Sequence, residues 1–245
     1  MSPISLPSQE SPSAGKVNPP VVCVYCGSSP GNDSAYLDAA RAFAKVLHQH
    51  GFHLVYGGGT TGIMGAIARE VVKLSGPDAV QGYIPAALVA YERGKTGKER
   101  DNTTYGRFEV VPDMHTRKML MARRVQCGGP GSGFVALSGG LGTIEELMEI
   151  ATWQQLGIHS RGVCLLNVGG YWDGLVNWVE KVVVGKGFLS PEHWHAVGVQ
   201  SRPEDVVKWL QEWRAEEKGV RLDWRSETGT AKEDSDHQGV VGVDL

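Results

Sequence analysis

The sequence has no apolar run approaching the roughly 20 residues that a membrane-spanning helix needs, so no membrane partner is expected. Nor does charge of one sign dominate. Lys and Arg number 24 against 27 Asp and Glu, a net charge of −3, and nothing in that balance argues for nucleic acid. Cysteine is scarce: four in 245 residues cannot frame a disulfide scaffold in a chain this long. Cys23 and Cys26 form a lone CxxC with no second pair at zinc-like spacing, so neither a metal nor redox use is expected. The first stretch, MSPISLPSQESPSAGKVNPP, lacks both the apolar core of a secretory signal and the arginines of a transit peptide. These absences together read as a reduced, cytoplasmic protein with a disordered N-terminal tail over residues 1–19. A polar, aperiodic C-terminal segment, residues 216–245, is expected to be flexible.

What the chain has in excess is glycine, 33 residues against an average share of about 7%. Between the tails, apolar runs alternate with amphipathic stretches. VVCVY, FHLVY, DAVQGYI, FEVVP, FVAL and GVCLLNV read as strands. Helical periodicity runs from Ser34 to His50, through IMGAIAREVVKL, HTRKMLMARRV, Gly142 to Gln155, GYWDGLVNWVEKVVV and EDVVKWLQEWRAEE. YERGKTGKERDNTTYG reads as a long polar loop. This order predicts an α/β fold: a single doubly wound domain over residues 20–215, its mostly parallel sheet covered by helices on both faces. Ligands in such sheets sit beyond the carboxyl ends of the strands. CGSSPG, YGGGTTGIMG and LSGGLGTIEE fall there.

Two of these segments are strand–glycine loop–helix junctions, the arrangement that brings free amides to an anion. Gly57, Gly58 and Gly59 lead into one helix; Gly139, Gly140 and Gly142 lead into the other. Tight packing alone also calls for small residues at such places. Neither loop is a nucleoside triphosphatase P-loop, and neither fits the dinucleotide fingerprint, because Glu145 stands where that pattern wants glycine. Arg117 lies one turn into the helix after FEVVP and is aimed at the same sheet edge. Its guanidinium can grip phosphate or carboxylate bidentately, whereas Arg123 and Arg124 read as a solvated face. Glu145 and Glu146 could simply cap a helix start, worth about 0.3–1 kcal/mol. A sugar phosphate gives them a second reading, with its phosphate on the loop and its anomeric carbon near a carboxylate, where positive charge develops during glycosidic cleavage.

CVYCGSSPG, GGGTTGIMG, MHTRK and GGLGTIEE, in that order, resemble the LOG ("lonely guy") family of cytokinin riboside 5′-monophosphate phosphoribohydrolases, over about Val21 to Leu210. The resemblance implies a Rossmann-like fold, a homodimer and no cofactor. The activity it implies is hydrolysis of a nucleoside 5′-monophosphate, including AMP, to free base and ribose 5-phosphate. It also implies Arg117 and Glu146 as the catalytic pair. Lys118, Gly58, Gly59, the loop from Gly139 and Gly140 through Leu141, Gly142, Thr143 and Ile144 to Glu145, and Thr152 match substrate contacts. The phosphate is expected on the amides of Gly140, Gly142 and Thr143 with help from the Thr143 hydroxyl. Glu146 would stabilise an oxocarbenium-like centre or attack it, two alternatives that stay open.

The chain departs from the pattern in three places. Ser138 replaces a motif proline, CGGPGSG lengthens a helix-to-strand link, and a substrate glutamate after the third strand has only the displaced Glu92 as counterpart. The alternative reading is a nucleotide or cofactor carrier of the same fold, for which Arg117 and Glu146 together would be superfluous. His193 and His195, in HWH, read as packing residues. The apolar content of MLMARR and ELMEIATWQQL suits a dimer interface.

Overall fold

The computed structural model describes residues 18–96 and 101–215, excepting the side chains of residues 92–96. Both expected tails fall outside this range apart from residues 18 and 19. Seven strands form one sheet among the described residues: β1 Val21–Tyr25, β2 His53–Tyr56, β3 Val80–Pro85, β4 Arg107–Val111, β5 Gly133–Ala136, β6 Gly162–Leu166 and β7 Val197–Gln200. Their order is β4-β3-β2-β1-β5-β6-β7, and every pairing is parallel. The chain winds outward from β1 to one edge, returns to β5, and winds to the other edge. The gap beyond the ends of β1 and β5 is therefore the topological switch point, where such sheets hold ligands.

The helices are α1 Ser34–Gln49, α2 Gly62–Ser75, α3 Ala86–Thr96, α4 Asn102–Tyr105, α5 Met114–Gln126, α6 Leu141–Gln155, α7 Asp173–Trp178, α8 Pro191–His195 and α9 Pro203–Glu212. Asp33 and Asp113 start α1 and α5 by accepting the amides of Ala35 and Thr116; carboxylates at such positions fill donors the helix cannot. A buried parallel strand is apolar on both sides, and β1 shows why. Val22, Val24 and Cys26 join the core beneath α1, α2 and α9, while Val21, Cys23 and Tyr25 join the core beneath α5 and α6. The two CxxC cysteines thus belong to opposite faces of the sheet, as a spacing of three along an extended chain dictates. Burial raises both thiols well above their ordinary pKa.

The sequence reading needs four corrections. The sheet has a seventh strand, β7, that it lacked. The long polar loop is partly helical, with α3 and α4 flanking residues 97–100, which lie outside the described residues. The helix expected through GYWDGLVNWVEKVVV is α7 followed by a π-helical stretch, Val179–Val184. In HWH only Trp194 packs; His193 and His195 are exposed.

His159, just after α6, is a buried imidazole that sequence gave no reason to single out. Its Nδ1 accepts the Arg161 amide at 3.1 Å, so its Nε2, 2.9 Å from the Ile150 carbonyl, must carry the proton and donate. Burial chiefly lowers its pKa, from 6.5 to about 4. The unfolded chain therefore takes up a proton that the folded protein refuses, and stability falls as pH drops from 6.5 towards 4. The integrated loss is about 3 kcal/mol. His159→Gln, which keeps one donor and one acceptor, should flatten that acid limb. Denaturant unfolding at pH 7 and pH 4.5 measures it, and identical pH slopes for both proteins would contradict it.

Candidate active site

Three loops meet at the carboxyl edge of the sheet. The loop after β1 carries Gly27, whose amide donates to the Ser138 carbonyl after β5 at 3.0 Å. The Gly27 carbonyl in turn accepts the amides of Ile63 and Met64, at 3.1 and 3.2 Å, from the first turn of α2. Thr61 adds a side-chain bond to the Ser28 carbonyl. Gly62, with φ +59°, fits only because it lacks a side chain; a Cβ there would stand 2.4 Å from the Ser28 carbonyl carbon. These contacts change the expectation of two equivalent anion loops. The start of α2 spends its amides on Gly27, and Gly58 (φ +77°) and Gly59 pack against β3 and Met64.

The start of α6 is different. Gly140 is its N-cap and no side chain caps the helix. A Cβ at Gly140 or at Gly142 would meet nothing within 4 Å, and Leu141 between them is 85% exposed. The Thr143 amide is partly spent on the Gly140 carbonyl at 3.0 Å. Thr143 is buried, and its hydroxyl occupies the space where a Gly139 side chain would be. The open donors at this end are thus those of the first residues, where the helix dipole favours an anion.

Beside this loop, α5 and α6 face each other through their charges. Arg117 and Glu146 are 8% and 6% exposed, and Arg117 Nη2 lies 2.9 Å from Glu146 Oε1. The approach is an ion pair by distance without hydrogen-bond alignment, so Glu146 Oε1 and Arg117 Nε are both buried with no aligned partner. Burial raises the Glu146 pKa, and Arg117 only partly opposes it. Arg117 Nη1 also reaches the Met114 sulfur at 3.5 Å. The guanidinium lies directly over Gly57, where a Cβ would stand 1.9 Å from Nη2.

Adjacent positions on these helices form a second, outer set of ion pairs. Lys118 Nζ is held by Glu145 and by Glu149, the latter at 3.0 Å. Burial alone would lower the Lys118 pKa; hydrogen bonds and charge from the two glutamates outweigh it, and the net direction is up. Glu145 is exposed and Glu146 buried, as expected when one residue turns a helix by about 100°.

Of the residues expected at the site, Arg117, Glu146, Gly139, Gly140, Leu141, Gly142, Thr143, Ile144 and Glu145 lie together along α5 and the start of α6. Lys118 is close by but engaged. Gly58 and Gly59 sit on the neighbouring loop. Thr152 is not brought in: it is exposed, bonds its own helix at the Met148 carbonyl, and lies about 16 Å along the axis from the start of α6. Glu92 is on α3, its side chain outside the described residues. Sequence reading missed Gly57 as a clearance for Arg117. It also missed Tyr171, which donates a hydrogen bond to the Gly139 carbonyl; an isolated tyrosine in GGYW carries no signal for that.

A seven-stranded parallel sheet with an anion-competent loop at its switch point defines a Rossmann-like α/β protein, and solved structures share this architecture. The molybdenum cofactor carrier protein of Chlamydomonas reinhardtii superposes with a TM-score of 0.55 at 16% identity, covering 79% of this chain and 97% of that one. The molybdenum cofactor binding protein of Rippkaea orientalis gives 0.53 at 16%, covering 80% and 98%. At these identities the likeness shows the fold alone. Residues 64–210 match the family described as "Possible lysine decarboxylase". A bifunctional cytokinin biosynthesis protein of Fusarium pseudograminearum is 52% identical over 209 residues, 84% of this chain; the chain spans only 43% of that protein's length. Cytokinin riboside 5′-monophosphate phosphoribohydrolase LOG5 of Arabidopsis thaliana is 40% identical over 199 residues, 81% of this chain and 80% of its own. A probable counterpart in Oryza sativa subsp. japonica, LOGL9, is 43% identical over 192 residues, 78% of each. The chain belongs to the LOG family of phosphoribohydrolases.

Proposed function

We propose that the protein hydrolyses the N-glycosidic bond of cytokinin riboside 5′-monophosphates and of AMP. Water adds to the anomeric carbon, the base departs with a proton, and ribose 5-phosphate remains. The observation that carries this reading is the buried Arg117–Glu146 pair beside the uncapped start of α6. A phosphate on the α6 amides puts the pentose next to Glu146, whose carboxylate faces the charge developing at C1′. Arg117 stands between the two anions and lowers their repulsion. Its unaligned Nε and the unaligned Glu146 Oε1 retain hydrogen-bonding capacity that ribose hydroxyls can use. Lys118 serves as a strut between α5 and α6 rather than as a ligand.

A decarboxylase of the pyridoxal type needs a lysine that gives up its proton to become a nucleophile. The Lys118 pKa moves the other way. Incubating the protein with AMP or isopentenyladenosine monophosphate, and resolving the products by chromatography, tests the proposal. The expected product is free base with equimolar ribose 5-phosphate; intact nucleotide after prolonged incubation would favour the carrier reading. We further propose that the domain over residues 20–215 is sufficient for this activity and works in the cytoplasm as a homodimer. Met119 on α5 and Leu141 at the start of α6, both exposed, support an interface next to the site.

A further inference from the structure

We propose that Tyr171 is a positioning residue for the phosphate: by holding the Gly139 carbonyl, its hydroxyl turns the Gly140 N–H towards the bound anion. This rests on the reading that the α6 start takes the phosphate. The Gly139 carbonyl and the Gly140 N–H belong to one peptide unit, and none of the described peptide bonds is cis. In a trans unit those two groups point in opposite directions. Tying the carbonyl to Tyr171 therefore fixes where the amide points. The tie is needed because a Gly–Gly unit has little steric resistance to turning over. Turned over, it would present the negative end of its carbonyl to the phosphate.

Tyr171 is itself built in. Gly169 and Gly170, at φ +58° and +76°, make the turn that delivers it. Asn167 accepts the Trp172 amide at 2.8 Å and donates to Asp173 at 2.7 Å, and the Trp172 ring is fully buried. The Tyr171 ring meets Tyr36 edge-on, with centroids 5.6 Å apart. Trp172 meets the same ring edge-on at 5.0 Å, so two aromatic contacts orient a side chain that is otherwise 38% exposed. The role of Tyr171 is confined to the anion end of the ligand, and that confinement separates it from a general stabilising contact.

Tyr171→Phe keeps the ring and its packing and removes only the hydroxyl. Calorimetric titration with ribose 5-phosphate should show about tenfold weaker binding than wild type, the loss of one hydrogen bond's worth of orientation. Adenosine, which lacks the phosphate, should bind both proteins equally, and the KM for AMP should rise while kcat stays within about twofold. Equal ribose 5-phosphate affinities, or an equal loss for adenosine, would overturn the tether. The binding comparison does not depend on turnover. Failure of the wild type to release adenine would therefore defeat the hydrolase reading alone.

Discussion

Glu146→Gln is expected to leave a folded protein that still binds AMP but releases adenine about 10³-fold more slowly. The amide is nearly isosteric, so its oxygen can remain near Arg117 Nη2, but it carries no charge to set against a cationic sugar. Binding should hold or tighten, because the substitution removes an anion from beside the phosphate and frees Arg117 to meet it. Calorimetry for affinity and chromatography for adenine measure the two halves separately. Retention of more than a tenth of wild-type turnover would remove Glu146 from the chemistry. Glu145→Gln is the control, since that carboxylate is exposed and occupied with Lys118. The wild-type pH profile adds a third readout. Burial raises the Glu146 pKa and the reaction uses the ionised form. Activity should therefore fall with decreasing pH, and do so at higher pH than an ordinary glutamate would give; this limb should be absent from the residual activity of Glu146→Gln.

Gly57→Ala should lower kcat/KM about 10²-fold without replacing any residue that contacts the substrate. The backbone at Gly57 lies outside the left-handed region, so alanine is conformationally acceptable there. Only space is at issue. The new methyl would stand 1.9 Å from Arg117 Nη2 and 2.9 Å from its Cζ, and the guanidinium must move off Glu146 to make room. Stability should change by no more than about 1–3 kcal/mol, the usual cost of crowding a packed site. Steady-state kinetics with thermal unfolding of the same preparation distinguishes this from a folding defect. Activity within threefold of wild type would mean that the guanidinium's position does not matter.

The order of strands and helices was legible in the sequence because long apolar runs and amphipathic stretches alternate, and because Asp33 and Asp113 mark helix starts by their chemistry. Four-residue β7 was not, since VGVQ is too short to show a period and follows an aromatic segment. Helix α3 was hidden by the polar character of its second half. Arg117 could be placed from its distance past Asp113, one turn into α5. Glu145 and Glu146 could not be told apart physically from sequence, because which one turns inward depends on how α6 is rotated against α5. The two glycine loops also looked alike. Only the fold shows that the carbonyl of Gly27 occupies the start of α2, so that one helix start is committed to structure and the other is open.

The lengthened CGGPGSG link precedes β5, and so lies at the amino ends of the strands, the pole away from the substrate. It is moored there: Arg161 reaches the carbonyls of Gln126, Gly128 and Gly129, and the Gly129 amide meets the Pro19 carbonyl. Cys127, at its start, is exposed, whereas Cys23, Cys26 and Cys164 are buried. The native chain thus offers one accessible thiol for maleimide attachment of a fluorophore or a surface linker, remote from the chemistry and without engineering.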